Sequence, residues 1–461
     1  MVKIGKEFED KLKEIFFYVA RYGVVTELSL NEKLEDFNYD RFITLCNEGF
    51  KIGQNLVLQE LIKLEAERKI IEEKIKQKRK EIRNNERKEM EKVLHVHKYK
   101  EELIKNLVYT IAWQQFNGKR EILARFYTQE MGSNQLTGKG FEAILLAAND
   151  INKDPEKFAL ISDLTNNIQI GDLLVITPEG HEVIEVKTGE KNAAALRLME
   201  FYKVNRIEIT EARIAKNFDK NFADQILRMQ KQNIKSDRLK KIVEEDKGEH
   251  PKFENTRVEL IDSPIKDETF HEEIGGLLKQ LKEKDWAYTN VWGVINIGAY
   301  KNDWRFRGMA SLTEINKNFP VFDIVSLGVN VSEPIFAKPM YWGDENIIDI
   351  ALGKIKVFVG INFDQFIKFS NDLGLPLRWS TRKELSRLYD SSGGLDNKEI
   401  FSHYNKGLVI QDHETKGDIQ FVGMGMLFRM IYDHISPLTL IQNRAIGFNE
   451  LKKMKASENN A

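Results

Sequence analysis

Three charged residues, Asp172, Glu185 and Lys187, interrupt runs of Ile, Val and Leu in the segment IQIGDLLVITPEGHEVIEVKTGEKN. Two carboxylates and an ammonium group converging at the end of an apolar sheet make a site for a hard divalent cation, which takes oxygen ligands. Such a cation can activate water and stabilise the charge that develops on a phosphodiester in its transition state, and a lysine would assist both tasks.

The spacing says how these side chains meet. KFALIS and IQIGDLLVI read as strands around a turn at Asn166-Asn167, and HEVIEVK follows across TPEG. Thr177-Pro178-Glu179-Gly180 matches a type I turn, with Pro second and Gly fourth. If that turn closes a hairpin, Ile176 faces His181 and antiparallel register brings Asp172 opposite Glu185. Opposed residues have Cβ atoms roughly 4.5–5.5 Å apart, and like charges so placed repel, so a positive group belongs between them. Lys187, two residues past Glu185, lies on the same face, while Ile184 and Val186 point the other way into a core. In the plainer alternative, Asp172 accepts a hydrogen bond in the preceding turn and Glu185 pairs with Lys187 on a half-exposed sheet.

Upstream, GSNQLTGKG is not a phosphate-binding P-loop. Five residues, not four, separate Gly132 from Gly138, and Gly140 stands where the magnesium-binding Ser or Thr belongs. It reads as a loop entering a helix over residues 141–149, with Glu142 in the first turn, where a carboxylate suits the positive helix end.

At these residues the chain resembles the PD-(D/E)XK nuclease superfamily, with its restriction-endonuclease-like fold. The match is Asp172, then Glu185-Val186-Lys187 after a strand-turn-strand spacing, preceded by a helix bearing Glu142, and it covers roughly residues 138–206. The resemblance implies that Asp172 and Glu185 bind Mg2+, for which Mn2+ can substitute, with help from the Val186 carbonyl. It implies that Lys187 positions the attacking water and that Glu142 is the helix carboxylate some members add to the metal site. Gly171 departs from the pattern, standing where the family has proline.

The flanks set the context. At 461 residues, 42% hydrophobic and 31% charged, the chain can bury a large core in two or three domains. A single cysteine, Cys46, excludes an internal disulfide framework and suits a reducing cytosol. No secretion signal is visible at the amino terminus, and the apolar stretch FVGMGMLFRMIYDHISPLTLI carries Arg429, Asp433 and His434, so it reads as a buried helix rather than a membrane span. Residues 1–130 read as helical, with a heptad seam of Val57, Leu61, Leu64, Ile71, Ile75 and Ile82 that predicts a coiled coil, buried against another helix within the chain or in a second protomer, self-association being favoured. NAAALRLMEFYKV should pack on the sheet through Ala193, Leu196, Met199 and Phe201 or Tyr202. Across residues 191–241 basic side chains outnumber acidic ones, Arg228, Lys231 and Lys235 among them, which suits phosphate backbone contact beside such a site and, in isolation, a solvated helix face. TRVELID is a possible later strand of the core. After Trp286 the chain reads as mixed α/β, with Trp292, Trp304, Trp342 and Trp379 placed in packing rather than in base stacking. His95, His97 and His413 lack partners at metal-site spacing.

The expectation is therefore an α/β chain. A helical coiled-coil region (1–130) precedes a restriction-endonuclease-like mixed sheet core with an acidic connection (131–285) and a mixed α/β recognition or regulatory region (286–461). The expected activity is cytoplasmic, metal-dependent cleavage of nucleic acid, DNA favoured over RNA, with no membrane partner. Large regions flanking a compact core are similar to those of restriction and antiphage-defence nucleases, an analogy of architecture alone. The rival reading is a non-catalytic coiled-coil protein that binds nucleic acid or a partner through a degenerate core.

Overall fold

The computed structural model describes residues 4–30, 37–77, 84–127, 136–187, 189–251, 257–259, 265–325, 331–391, 400–411 and 419–458. The chain is mixed α/β and forms two compact units: Met1–Ile261 with Leu327–Ala337, and Asp262–Ser326 with Lys338–Ala461.

The first unit opens with helices α1 (Lys6–Phe16), α2 (Tyr22–Ser29), α3 (Tyr39–Gln77), α4 (Asn84–Gln115), α5 (Arg120–Phe126) and α6 (Lys139–Ile151). Helix α3 packs on α4, and Arg68 of α3 ties them together by bonding Glu101 of α4 at 3.0 Å. The heptad stripe accounts for this packing. Val57, Leu61 and Leu64 are buried, so the first half of the stripe needs no second protomer to cover it. Ile71 and Ile75 are half-buried, and Ile82 lies outside the described residues. The turn at Asn117-Gly118 forms where expected, both residues having positive φ.

Strands β1 (Phe158–Ile161), β2 (Leu173–Thr177) and β3 (Gly180–Ile184) make an antiparallel sheet in that order. The apolar run LLVI of β2 is buried because β2 is the central strand, with β1 on one side and β3 on the other. The free edge of β1 is covered by α3. The Gln54 amide donates to the Ala159 carbonyl and accepts from the Ile161 N–H, both at 2.9 Å, as a neighbouring strand would. Asn47 and Lys51 of the same helix donate to the Glu156 and Asp154 carbonyls. This edge contact puts the helical region and the sheet in one unit, with no division at residue 130.

After the sheet come α7 (Glu190–Val204), α8 (Glu211–Asn217), α9 (Lys220–Glu245) and the ribbon of β4 (Lys247–Glu249) and β5 (Arg257–Glu259). Two expectations are corrected here. Helix α7 packs mainly on α9 rather than on the sheet. Its buried side is Ala195 and Tyr202, with Leu198 and Met199 beside them, whereas Leu196 and Phe201 are exposed. The partner is another helix, so the buried stripe rotates toward it. The strand in TRVELID pairs with β4 and is not part of the core sheet.

The second unit starts at residue 262, not 286, because α10 (His271–Gln280) packs on the hairpin of β6 (Trp286–Val291) and β7 (Ile295–Lys301). Next come α11 (Trp304–Ile315), β8 (Val321–Asp323), α12 (Pro339–Trp342), α13 (Asp344–Ala351) and β9 (Ile355–Ile361), the strands ordering as β6-β7-β9-β8. Helix α11 lies on this sheet through Leu312, which shares a buried cluster with Tyr300, Val321 and Phe358. A smaller sheet holds β10 (Leu377–Trp379), β11 (Ser402–His403), β12 (Lys406–Gln411) and β13 (Ile419–Phe421); α14 (Phe363–Asp372) precedes β10, α15 (Arg382–Ser391) lies between β10 and β11 in the chain, and α16 (Met424–Ile431) and α17 (Pro437–Glu458) follow β13. No helix of the described residues is long and apolar enough to cross a membrane.

Candidate active site

Strands β2 and β3 pair in the register expected from the turn, Ile176 with His181 and Leu173 with Ile184. Continued by one residue, that register sets Asp172 against Glu185, and here the ladder bends. The Asp172 N–H donates to the Ile184 carbonyl at 2.9 Å, one residue short of the register position. The Asp172 carboxylate takes the Val186 N–H at 2.6 Å in place of a backbone partner. An offset of this kind re-aims a side chain at the end of a strand, as β-bulges do beside active sites. Gly171 makes it possible, with φ +80° and a position where an added Cβ would run into the Val183 side chain. Proline, fixed near φ −65°, could not adopt this conformation.

Lys187 lies on the face expected of it. Its Nζ is 2.8 Å from a Glu185 carboxylate oxygen and 2.8 Å from the Gln232 side-chain oxygen of α9. Both side chains of the ion pair are largely buried, Lys187 being 13% and Glu185 17% exposed. Ile184 and Val186 are half-buried. Burial and the charge of Glu185 push the Asp172 carboxyl up to about 6, against the opposing pull of the Val186 N–H and Lys187.

A further acid acts on Asp172 that sequence reasoning missed. Asp163 lies in the short 3-10 turn Ser162–Leu164 just after β1, and its charge also raises the Asp172 carboxyl. Burial raises the Asp163 carboxyl in turn, opposed by Lys105 of α4. The signal was the register of β1 with β2: the Ser162 N–H donates to the Asp172 carbonyl at 3.0 Å, which places the next residue, Asp163, alongside. Glu142 is exposed on the first turn of α6 and is not among the charges that act on Asp172.

Among the described residues, no group of three or more His, Cys, Asp or Glu side chains is gathered as a complete cation site. The donor types at Asp172, Glu185 and the Val186 carbonyl nevertheless suit a hard cation such as Mg2+, which is commonly held by one or two carboxylates and keeps several waters. The repulsion that raises Asp172 is relieved by positive charge.

Helix α9 lies against β3 and carries the basic residues past the site. Arg228 and Lys235 stand four residues before and three after Gln232, hence on its face of the helix. Arg228 and Lys231 are exposed, and Lys235 is half-buried. Arg238 has a structural task, pairing with Glu249 of β4 at 2.7 Å. Of the other residues considered from sequence, His97 is buried 3.6 Å from Glu67, His95 is exposed, and His413 and Gly132 lie outside the described residues. No protein-family model matches the chain, and no curated protein or solved structure matches it.

Proposed function

We propose that this chain is a metal-dependent nuclease of the PD-(D/E)XK type that hydrolyses phosphodiester bonds, with DNA favoured as substrate and restriction or antiphage defence as the setting. The observation that carries this reading is the convergence of Asp172, Glu185 and Lys187 at a bent strand end, with one carboxyl pushed up to about 6 by burial and by the other. Half-buried acids in repulsion are costly in a merely structural role and useful in holding a cation.

Asp172, Glu185 and the Val186 carbonyl would hold the divalent cation. When bound, it supplies Lewis acidity at the phosphodiester. Asp172 is aimed by the Val186 N–H, so its second oxygen is the one offered to a ligand. Gln232 and Glu185 fix the Lys187 ammonium, which is placed to orient water and to donate to a phosphate oxygen. Arg228, Lys231 and Lys235 on α9 supply backbone phosphate contacts.

The second reading, a non-catalytic binding protein, draws on the same ion pair, since Glu185 and Lys187 satisfy each other without a metal. Incubating the purified protein with plasmid, linear duplex, single-stranded DNA and RNA, in Mg2+, Mn2+ or chelator, separates the two. Cleavage that requires metal supports the nuclease. Binding without cleavage under every condition supports the rival.

A further inference from the structure

The second unit contains a pocket unrelated to the acidic site. Its cavity of about 330 Å³ lies between the β11–β12 hairpin and the residues joining α11 to β8. Its walls are aromatic: Phe319 and Trp379 stack at 18° with centroids 6.3 Å apart, and the His403 ring is 5.3 Å from Phe319 and 6.4 Å from Trp379. The formal charges of its lining residues are both positive, Lys317 and Lys406, and both side chains are exposed at the rim.

Tyr404 completes the rim. It is 75% exposed, with its ring 4.2 Å from that of His403. Tyr404 and Asn405 join β11 to β12 as a two-residue hairpin turn with φ of 48° and 59°. Such turns favour Asn-Gly, and a bulky aromatic at positive φ is a costly choice. An exposed tyrosine held in a strained turn over an aromatic pocket is hard to explain by packing, because it buries little. Backbone strain of this kind is kept at ligand sites when the surroundings fix it.

We infer that this pocket binds a nucleotide, its base against the rings of Trp379, His403 and Tyr404 and its phosphate on Lys317 and Lys406. Aromatic faces stack on any base. The two lysines select an anion and repel the cationic groups that aromatic cages otherwise take. The volume suits a single nucleotide at the small end of ligand pockets. The nucleotide is either free or the end of a nucleic-acid strand, and the recognition chemistry is the same in both. The inference does not depend on cleavage at Asp172 and Glu185.

The test is calorimetric titration of the full-length protein, in chelator so that no strand is cut, with AMP, adenosine, phenyl phosphate and a short 5′-phosphorylated oligodeoxyadenylate. AMP or the oligonucleotide should bind, and adenosine should bind AMP's site on the order of tenfold more weakly. Binding of AMP marks a free nucleotide as ligand, and binding of the oligonucleotide alone marks a strand end. The K317Q/K406Q protein should lose the preference for the phosphorylated ligand. Tyr404→Gly relieves the turn and so folds at least as well as the parent, yet it should weaken binding on the order of tenfold. No binding of AMP or oligonucleotide, phenyl phosphate binding as well as AMP, or undiminished binding by Tyr404→Gly would each overturn the inference.

Discussion

The ammonium group of Lys187 is held 2.8 Å from the side-chain oxygen of Gln232, a residue 45 positions later on another helix. This bond holds the lysine by a second partner besides Glu185, so the ammonium would stay in place if the glutamate turned to a metal ion. Gln232→Leu should therefore lower turnover on the order of tenfold with little change in substrate affinity, as expected when an interaction serves the transition state. Single-turnover cleavage beside metal-free binding measures the two. Equal loss of both would make Gln232 a packing residue.

Asp172 makes the metal-free protein sensitive to pH. Its folded carboxyl is raised from 3.8 to about 6, so the folded state holds the proton more tightly than the unfolded chain does. The stability this contributes is present below about pH 4 and is lost as pH rises through about 6. Asp172→Asn keeps an acceptor oxygen for the Val186 N–H and removes the charge. In chelator above pH 6 it should be more stable than the parent, by at most about 3 kcal/mol and less after solvent screening of a partly exposed group. The difference should close toward pH 4, as read by denaturant unfolding across that range. A parent more stable than the variant at pH 7 would show that the ionised carboxylate is already well compensated.

Gln54 tests the union of helical region and sheet. Gln54→Ala leaves the Ala159 carbonyl and the Ile161 N–H without their partner in a buried setting, at a cost of about 2–4 kcal/mol. Its thermal midpoint should fall by several degrees. Hydrogen exchange should show the Ile161 amide opening while α4 stays protected. An unshifted midpoint would mean that the sheet edge is held by other contacts.

Much of the site was legible because strand register is arithmetic. The turn at residues 177–180 fixed which side chains face each other, and the two-residue step carried Lys187 to the face of Glu185. The bend at Glu185 was not legible, since it depends on a positive φ at Gly171 and on a carboxylate replacing a backbone acceptor. Gln232 could not be found from spacing at all, because contacts across 45 residues are set by how α9 docks on β3. The same limit explains α7: its sequence contains two apolar stripes, and only the position of α9 decides which is buried. The heptad at Val57, Leu61 and Leu64 correctly marked a helical seam, but a seam does not say whether its partner is in the same chain.

Charge on α9 should act on affinity rather than on sequence preference. Neutralising Arg228, Lys231 and Lys235 together should weaken binding to all substrates and flatten the slope of log affinity against log salt by up to about one unit per lost phosphate contact. Fluorescence anisotropy at several salt concentrations, in chelator, reads that slope. An unchanged slope would mark these residues as solvated surface and move the phosphate contacts elsewhere.

The central claim is that Asp172 and Glu185 share a cation used in phosphodiester cleavage. Its most direct test is cleavage of plasmid and linear DNA by the parent and by Glu185→Ala, side by side in Mg2+, Mn2+ and chelator, with melting curves of both proteins to establish folding. The account predicts cleavage by the parent only with metal, and none by a folded Glu185→Ala protein. Undiminished cleavage by Glu185→Ala, or cleavage by the parent in chelator, would contradict it.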